Sequence, residues 1–306
     1  MSELLLSPVG LALLGLCIGS FLNVVIQRLP QVLLRDWWRE TAEFQLGDSQ
    51  AWTPAFARAE RPDAAFAAAA RAISDSLDGL PALSLVTPRS RCPACGHVLR
   101  WHENIPLLSW LLLRGRCSAC KAAISLRYPI VEAATGALFA ACAWRFGAQP
   151  VVLLWCAVTA LLVAMALIDL DTTLLPDQLT LPLIGLGLLA ALAGWTPVSL
   201  TDAVIGGLVG HGSLWLLSFM YRLLRGVQGM AEGDFKMLAG LGAMLGWQAL
   251  PSVVLLASAV GASVGLLLIA FKNHQREVPI PFGPYLAGGG LAAVFFGDAL
   301  RGLWNL

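Results

Sequence analysis

The sequence contains little charge: only 13% of its 306 residues are Asp, Glu, Lys or Arg, whereas 58% are hydrophobic. Soluble domains contain about 25% charged and about 45–50% apolar residues. The composition therefore excludes an ordinary soluble protein. The net charge of +1 argues neither for nor against nucleic acid binding, and we expect no nucleic acid partner.

The sequence also lacks a basic segment ahead of its first apolar run. Glu3 precedes the run Val9–Ile26, and Arg28 follows it. A cleaved signal peptide would carry its positive charges before the apolar run and a small-residue cleavage site after it. We therefore expect a retained first membrane span.

Long apolar runs recur along the chain, and about 20 such residues suffice for a helix to cross a bilayer. With the N-terminus outside, 18 of the 20 Lys and Arg residues fall on the inner side, as the positive-inside rule requires. The fold class we predict is an all-α polytopic membrane protein with about eight transmembrane helices. The predicted spans are residues 9–27, 129–147, 150–168, 176–194, 203–222, 236–249, 251–271 and 284–303.

These spans divide the chain into three parts. Residues 1–29 form the first transmembrane helix, residues 30–128 a cytosolic domain, and residues 129–306 a membrane core with seven helices. Within the cytosolic domain, residues 35–80 are rich in Ala and Arg, and the run Ala64–Ile73 has high helix propensity. We interpret this segment as a helical insert lying on the membrane surface rather than as a specific partner site.

Two CxxC pairs, 21 residues apart, lie in residues 91–121 of the cytosolic domain. Four thiolates at the corners of a tetrahedron are the ligand set of structural zinc. A reducing cytosol disfavours disulfides as the alternative use, although a redox pair or inert cysteines stay open. We predict a zinc-ribbon-like site with no open position for substrate, and His97 and His102 are not expected to bind the metal. Its ligands would be Cys92, Cys95, Cys117 and Cys120, whereas Cys17, Cys142 and Cys156 are expected to be small core residues.

Ionisable residues inside or beside spans are candidates for function, because placing a charge in a bilayer is costly. Glu132 and His211 lie inside predicted spans. Two acidic segments, Asp169–Asp177 and Glu232–Asp234, lie at span ends, and the predicted topology puts both on the cytosolic side.

Facing aspartates could cleave a peptide bond, because one carboxylate activates water while the other stays protonated and polarises the carbonyl. Two like charges in hydrogen-bond reach separate their pKa values and so supply one base and one acid. The residues alone equally allow solvated loop charges or the ion path of a transporter. A transporter's acids should lie nearer the bilayer midplane, with an internal repeat of spans. A third alternative is a zinc-organised scaffold without catalysis.

Several short motifs follow one another along the chain. Near the N-terminus they are Gly19–Asn23 and Arg28–Pro30, and in the cytosolic domain they are the four cysteines, Glu103–Pro106 and Arg127–Pro129. In the membrane core they are IDLDTTLLPDQLTLP from Ile168, GDFK from Gly233 and PIPFGPYLA from Pro279. In this order the motifs resemble those of the type 4 prepilin peptidase family of bacteria. The resemblance runs through most of the chain, and residues 35–80 match least.

The resemblance implies that the catalytic pair is Asp169 and Asp234. Asp169 is chosen over Asp171 because the family has an aspartate seven residues before a proline, here Pro176. Asp171 and Asp177 are then expected to be supporting residues. Ala231 departs from the usual GxGD motif, and alanine would be strained there if the position needs a positive φ.

The resemblance also implies a bifunctional enzyme of the bacterial inner membrane, with its N-terminus periplasmic and its active site facing the cytosol. It implies cleavage of type IV prepilins and type II secretion pseudopilins after a glycine, and then N-methylation of the new terminus with S-adenosylmethionine. No glycine-rich Rossmann fingerprint locates this methyl donor. Gly115 matches a family glycine linked to methyl transfer.

Overall fold

The computed structural model describes residues 2–46, 64–227, 229–272 and 280–304. Within these ranges the regular secondary structure is helical, apart from two isolated β-bridges, which confirms the all-α class. Two 3₁₀ turns lie at Trp101–Asn104 and Trp247–Ala249. The helices are α1 (Ser2–Leu5), α2 (Pro8–Leu46), α3 (Ala64–Asp78), α4 (Leu108–Leu112), α5 (Arg127–Phe146), α6 (Val152–Thr172), α7 (Asp177–Leu192), α8 (Leu200–Arg225), α9 (Glu232–Leu245), α10 (Leu250–Lys272) and α11 (Gly283–Trp304).

Each of the eight predicted spans coincides with one of these helices, from α2 and α5 through to α11. Four described segments are both long and apolar enough to cross a membrane: Pro8–Phe44, Val152–Thr172, Leu200–Arg225 and Trp247–Phe271. Helix α7 is apolar but shorter, and α9 has only 14 residues. The described residues thus contain four candidate spans, as in a polytopic membrane protein.

The chain divides into two compact units, and α2 contributes to both. One unit contains residues 1–26 and 100–306, and the other contains residues 27–99. Helix α2 continues through Pro30, past the boundary at residue 29 that we predicted for the first span. The predicted Ala64–Ile73 helix lies within α3, whereas residues 47–63 of the predicted insert, including Trp52 and Phe56, fall outside the described residues.

In the smaller unit, three arginines of α2 contact the last residue of α3 and the segment that follows it. Arg28 donates to the carbonyl of Ser84 at 3.2 Å, and Arg35 donates to that of Pro81 at 2.9 Å. Arg39 forms an exposed ion pair with Asp78, at 3.5 Å. Exposed pairs contribute little stability, so the backbone contacts define how this segment lies along α2.

Helix α9 is the centre of the larger unit, where it packs against α7, α8 and α11. Its side chains from Asp234 to Met244 are buried, apart from Lys236. The contact with α8 is so close that a Cβ on Gly206 would lie 2.1 Å from the carbonyl oxygen of Gly242. Small residues that let helix backbones approach are characteristic of helix contacts in membranes.

Polar contacts show which helix ends lie together, and they place the start of α8 beside the end of α9. Arg145, near the end of α5, pairs with Asp298 near the end of α11. Asp202, at the start of α8, accepts hydrogen bonds from Trp247 and Gln248, which follow α9. These ends belong to one side of the bundle in the predicted topology.

We predict that Gly206→Ala lowers the midpoint of thermal denaturation of the purified protein in detergent. The added methyl would overlap the α9 backbone, and overpacking of this kind typically costs about 1–3 kcal/mol. Gly212→Ala on the same helix is the matched control, because a Cβ there meets no atom within 4 Å. Equal midpoints for the two variants would contradict the close α8–α9 contact.

Candidate active site and cysteine cluster

Asp169 lies near the C-terminal end of α6 and is only 5% exposed. Val158, Leu162 and Met165 precede it at spacings that place all four residues on one face of the helix, and each of the three is fully buried. The Oδ2 atom of Asp169 accepts a hydrogen bond from the backbone N–H of Gly283 at 2.9 Å. Packing of the α6 face thus carries Asp169 into the interior of the bundle.

Asp234 is the third residue of α9 and is also 5% exposed. Its Oδ1 atom is buried and has no hydrogen-bond partner among the described residues. Ala231 precedes the helix with φ −81° and ψ 151°, an extended conformation that alanine adopts without strain. The strain that we considered for Ala231 is therefore absent, and the residue is compatible with the site.

Leu175 brings the two aspartates together, although they belong to different helices. A Cβ on Gly233 would lie 2.4 Å from the Cβ of Leu175. A Cβ on Gly283 would lie 2.7 Å from Oδ2 of Asp169 and 3.2 Å from Cδ1 of Leu175. The Asp169 carboxylate is close enough to Asp234 to act on it electrostatically. The two acids thus form one buried pair at one end of the bundle.

The neighbouring acids have basic partners. Asp171 accepts two hydrogen bonds from Arg127, at 2.8 and 2.6 Å. Asp177 accepts two from Lys236, at 2.7 and 2.9 Å. These pairs are partly exposed, whereas the part of the chain that the structure describes offers no salt bridge to Asp169 or Asp234. The two acids of the predicted catalytic pair thus differ from Asp171 and Asp177 in having no basic partner there.

The two other ionisable residues singled out within spans lie apart from this pair. Glu132 is buried in α5, where its Oε2 accepts a hydrogen bond from the backbone N–H of Leu107 at 2.8 Å. Glu132 therefore anchors the residue that directly precedes α4. His211 is exposed on α8 and packs edge-to-face against Phe235, with ring centroids 5.9 Å apart. His211 thus contacts Phe235, the residue after Asp234.

The two CxxC pairs lie in turns of the same conformation, and each residue of the second turn is 25 positions after its equivalent in the first. In the first turn Arg91 bridges Val98 and in the second Arg116 bridges Ala123. The N–H of Cys92 donates to the carbonyl of His97 at 2.9 Å. The equivalent bond from Cys117 to Ala122 has the same length. Gly96 and Lys121 occupy equivalent positions, and both have positive φ, 72° and 61°. The segments are therefore two copies of one cysteine knuckle.

The four Sγ atoms of Cys92, Cys95, Cys117 and Cys120 lie within 4.8 Å of one another. A zinc ion bound at about 2.3 Å to four sulfurs holds them roughly 3.8 Å apart in a tetrahedron. The donor set and its spacing are therefore compatible with one structural zinc ion.

Gly115 lies in the second knuckle and has a structural reason to be glycine. Its φ is +66°, and a Cβ would lie 2.7 Å from the ring of Trp110. Its carbonyl accepts a hydrogen bond from Ile124 at 2.8 Å. The methyl-transfer role that the family resemblance implies for Gly115 stays a prediction.

Three residues that contribute to the site have no role that could be predicted from the sequence. Gly283 and Leu175 lie within matched motifs, but their contacts with the aspartates depend on the meeting of distant segments. Lys236 was counted only as a basic residue of the inner side, and its pairing with Asp177 joins α7 to α9. The repeated RCxAC pattern at Arg91 and Arg116 was visible in the sequence and indicates the duplicated knuckle.

Comparison with known proteins identifies the family. The model of the bacterial peptidase A24 N-terminal domain matches residues 13–146, and that of the type IV leader peptidase family matches residues 156–266. No solved structure matches the chain at a significant level.

Similar proteins from several bacteria carry the name prepilin leader peptidase/N-methyltransferase. That of Burkholderia pseudomallei (strain K96243) is 45% identical over 296 residues, which cover 95% of this chain and 87% of that protein. That of Aeromonas hydrophila is 48% identical over 288 residues, covering 94% and 90%. That of Pseudomonas aeruginosa PAO1 is 44% identical over 292 residues, covering 94% and 90%. Because these relatives match most of its length and both family models lie in order along it, this chain belongs to the type IV leader peptidase family.

Proposed function

We propose that the protein is a membrane aspartic endopeptidase that cleaves the leader of type IV prepilins and related pseudopilins after a glycine. It then N-methylates the new N-terminal residue. The observation that carries the proposal is the burial of Asp169 and Asp234 as one pair without a cationic partner among the described residues. Burying two carboxyl groups in this way costs stability, and paired-acid catalysis gives it a purpose. The names of the similar proteins support both activities.

The pair supports hydrolysis by general acid–base catalysis. One carboxylate takes a proton from water, whose oxygen attacks the scissile carbonyl carbon, while the protonated partner donates to the carbonyl oxygen. The tetrahedral intermediate collapses when the first carboxyl gives its proton to the leaving nitrogen and the C–N bond breaks. The partner carboxylate takes back a proton from the hydroxyl that becomes the new carbonyl oxygen. Both acids are then ready for another cycle, and no covalent intermediate with the enzyme is formed.

The site faces the cytosol in this proposal, at the inner surface of the bacterial inner membrane, and the N-terminus is periplasmic. The eight helices α2 and α5–α11 span the bilayer, and the short α9 is shielded from lipid by its neighbours. Helix α8 supports a lipid contact, because Leu208 and Leu224 are 70% and 82% exposed. A leader that remains in the cytosol would present its junction with the pilin helix at the height of Asp169 and Asp234.

Methyl transfer is assigned to the cytosolic side, around the second knuckle. S-adenosylmethionine supplies an electrophilic methyl group for the amine that cleavage releases. Gly115 is the residue proposed to act in this step, because it matches the family glycine and lies against the Trp110 ring. Zinc held by the four cysteines keeps the two knuckles in place and takes no part in either reaction.

We predict that Asp169→Asn and Asp234→Asn each lower the rate of leader cleavage by about 10²–10⁴-fold, the usual contribution of a general acid or base. Cleavage of a purified prepilin in detergent, followed by mass spectrometry, measures the effect. Asp171→Asn and Asp177→Asn are matched controls, because they remove carboxylates that face Arg127 and Lys236 and should leave most activity. Normal cleavage by either of the first two variants would refute the paired-acid mechanism.

The second activity is tested by following the mass of the pilin over time with and without S-adenosylmethionine. We expect loss of the leader in both samples and a gain of one methyl group only where the donor is present. The Asp169→Asn enzyme should still methylate a pilin supplied already cleaved, since its knuckles are unchanged. Cleavage without any methyl gain would remove the transferase part of the proposal.

Metal analysis tests the cysteine cluster. Elemental analysis of the purified protein should give about one zinc ion per chain for a single four-cysteine site. We expect Cys92→Ser and Cys117→Ser to lose it, because each removes a thiolate ligand. Cys17→Ser, which changes a cysteine of α2 outside the cluster, should retain it. Unchanged zinc content in the first two variants would contradict the zinc assignment.

A further inference from the structure

Asp169 and Asp234 are equally buried but differ in their hydrogen bonds. Oδ2 of Asp169 accepts the backbone N–H of Gly283 at 2.9 Å, in a buried bond between residues 114 positions apart. Oδ1 of Asp234 is buried and has no partner among the described residues. The structure is therefore asymmetric at the site where the mechanism needs one base and one acid.

The bond to Asp169 depends on the absence of a side chain at Gly283. A Cβ at this position would lie 2.7 Å from Oδ2 and 3.1 Å from Cγ of Asp169. It would also lie 3.2 Å from Cδ1 of Leu175, which blocks movement to that side. Any larger residue must displace the carboxylate or the start of α11, so a glycine is required by the close approach.

A backbone N–H can only donate, and it therefore favours a carboxylate over a carboxylic acid whose proton would face it. A carboxyl oxygen buried without a donor is costly in the charged state. The proton that the two acids share is consequently better placed on Asp234. Ionised Asp169 keeps the Gly283 bond. Ionised Asp234 would leave Oδ1 buried without a donor, even though the backbone of Ala231 lies within hydrogen-bonding reach of its carboxyl group.

We infer that Gly283 is a positioning residue that assigns the two roles, holding Asp169 as the ionised base and leaving Asp234 as the proton-carrying acid. This inference rests on the proposed peptidase function. Asp169 takes the proton of the attacking water, and Asp234 donates its proton to the scissile carbonyl oxygen. On collapse, Asp169 passes its proton to the leaving nitrogen, and Asp234 recovers a proton from the hydroxyl that becomes the new carbonyl oxygen.

Kinetics of Gly283→Ala test the positioning role. We expect kcat for prepilin cleavage to fall about 10–100-fold, the usual effect of losing a hydrogen bond to a charged group, with KM unchanged. Methylation of pre-cleaved pilin should keep its normal rate, which shows that the variant is folded. Gly288→Ala on the same helix is the matched control, because a Cβ there meets no atom within 4 Å.

An ester at position 283, made by incorporating glycolic acid during cell-free synthesis, removes the N–H without adding a Cβ. It should lower kcat as Gly283→Ala does. A normal kcat for the ester variant overturns the inference, because the N–H would then be dispensable. A fall in kcat together with a raised KM and loss of methylation in Gly283→Ala also overturns the inference, because the glycine would then be needed only for folding.

Infrared difference spectroscopy of the full-length protein tests the assignment of the proton. The band of a protonated buried carboxyl group should remain in Asp169→Asn and disappear in Asp234→Asn. The opposite pattern overturns the assignment. Failure of the proposed function is distinguishable, because Asp169→Asn and Asp234→Asn would then cleave prepilin normally whatever Gly283 does.

Discussion

The site depends on the contact of one leucine with two glycines. Leu175 fills the space that side chains at Gly233 and Gly283 would need, and these residues lie at the starts of α9 and α11. Each of these helix starts carries one component of the site: Asp234 follows Gly233, and the N–H of Gly283 binds Asp169. If the two helix starts moved closer they would clash with Leu175, and if they moved apart they would lose contact with it. Packing of an apolar side chain therefore fixes the positions of two carboxyl groups.

The surrounding ion pairs are arranged so that they do not neutralise that pair. Lys236 is only two residues from Asp234, yet it points to Asp177 on α7 and forms two hydrogen bonds with it. Arg127 likewise binds Asp171 rather than Asp169, two residues away on α6. In a helix, residues two positions apart face different directions. The helical periodicity alone therefore separates exposed, paired acids from buried, unpaired ones.

This separation also explains which parts of the site could be predicted from sequence. The helices were predictable because long apolar runs and Gly–Pro breaks are local signals, and every predicted span coincides with a helix. The choice of Asp169 over Asp171 came from resemblance, although the buried face formed by Val158, Leu162 and Met165 contains the same information.

The contacts of Gly283 and the conformation of Ala231 could not be predicted from the chain. Gly283 contacts Asp169 across 114 positions, and no local pattern specifies which helix ends will meet. Ala231 was judged against a motif in which glycine is usual, whereas its backbone is extended and tolerates alanine. The glycine that the local packing requires is Gly233, whose missing Cβ gives room to Leu175. A motif thus marks a position, and the tertiary contact decides which of its glycines is needed.

The cysteine region illustrates how a repeated backbone conformation can hide in an irregular sequence. The two knuckles share their bridges, their hydrogen bonds and a left-handed residue, which is glycine in one copy and Lys121 in the other. A left-handed conformation is unfavourable for lysine, so the surrounding knuckle must compensate for its cost. The proposed zinc ion, bound by the four thiolates, would provide such a compensation, since metal binding contributes directly to folding free energy in small sites of this kind. Gly115 differs from Lys121, because the contact with the Trp110 ring requires glycine there whether or not the residue also serves methyl transfer.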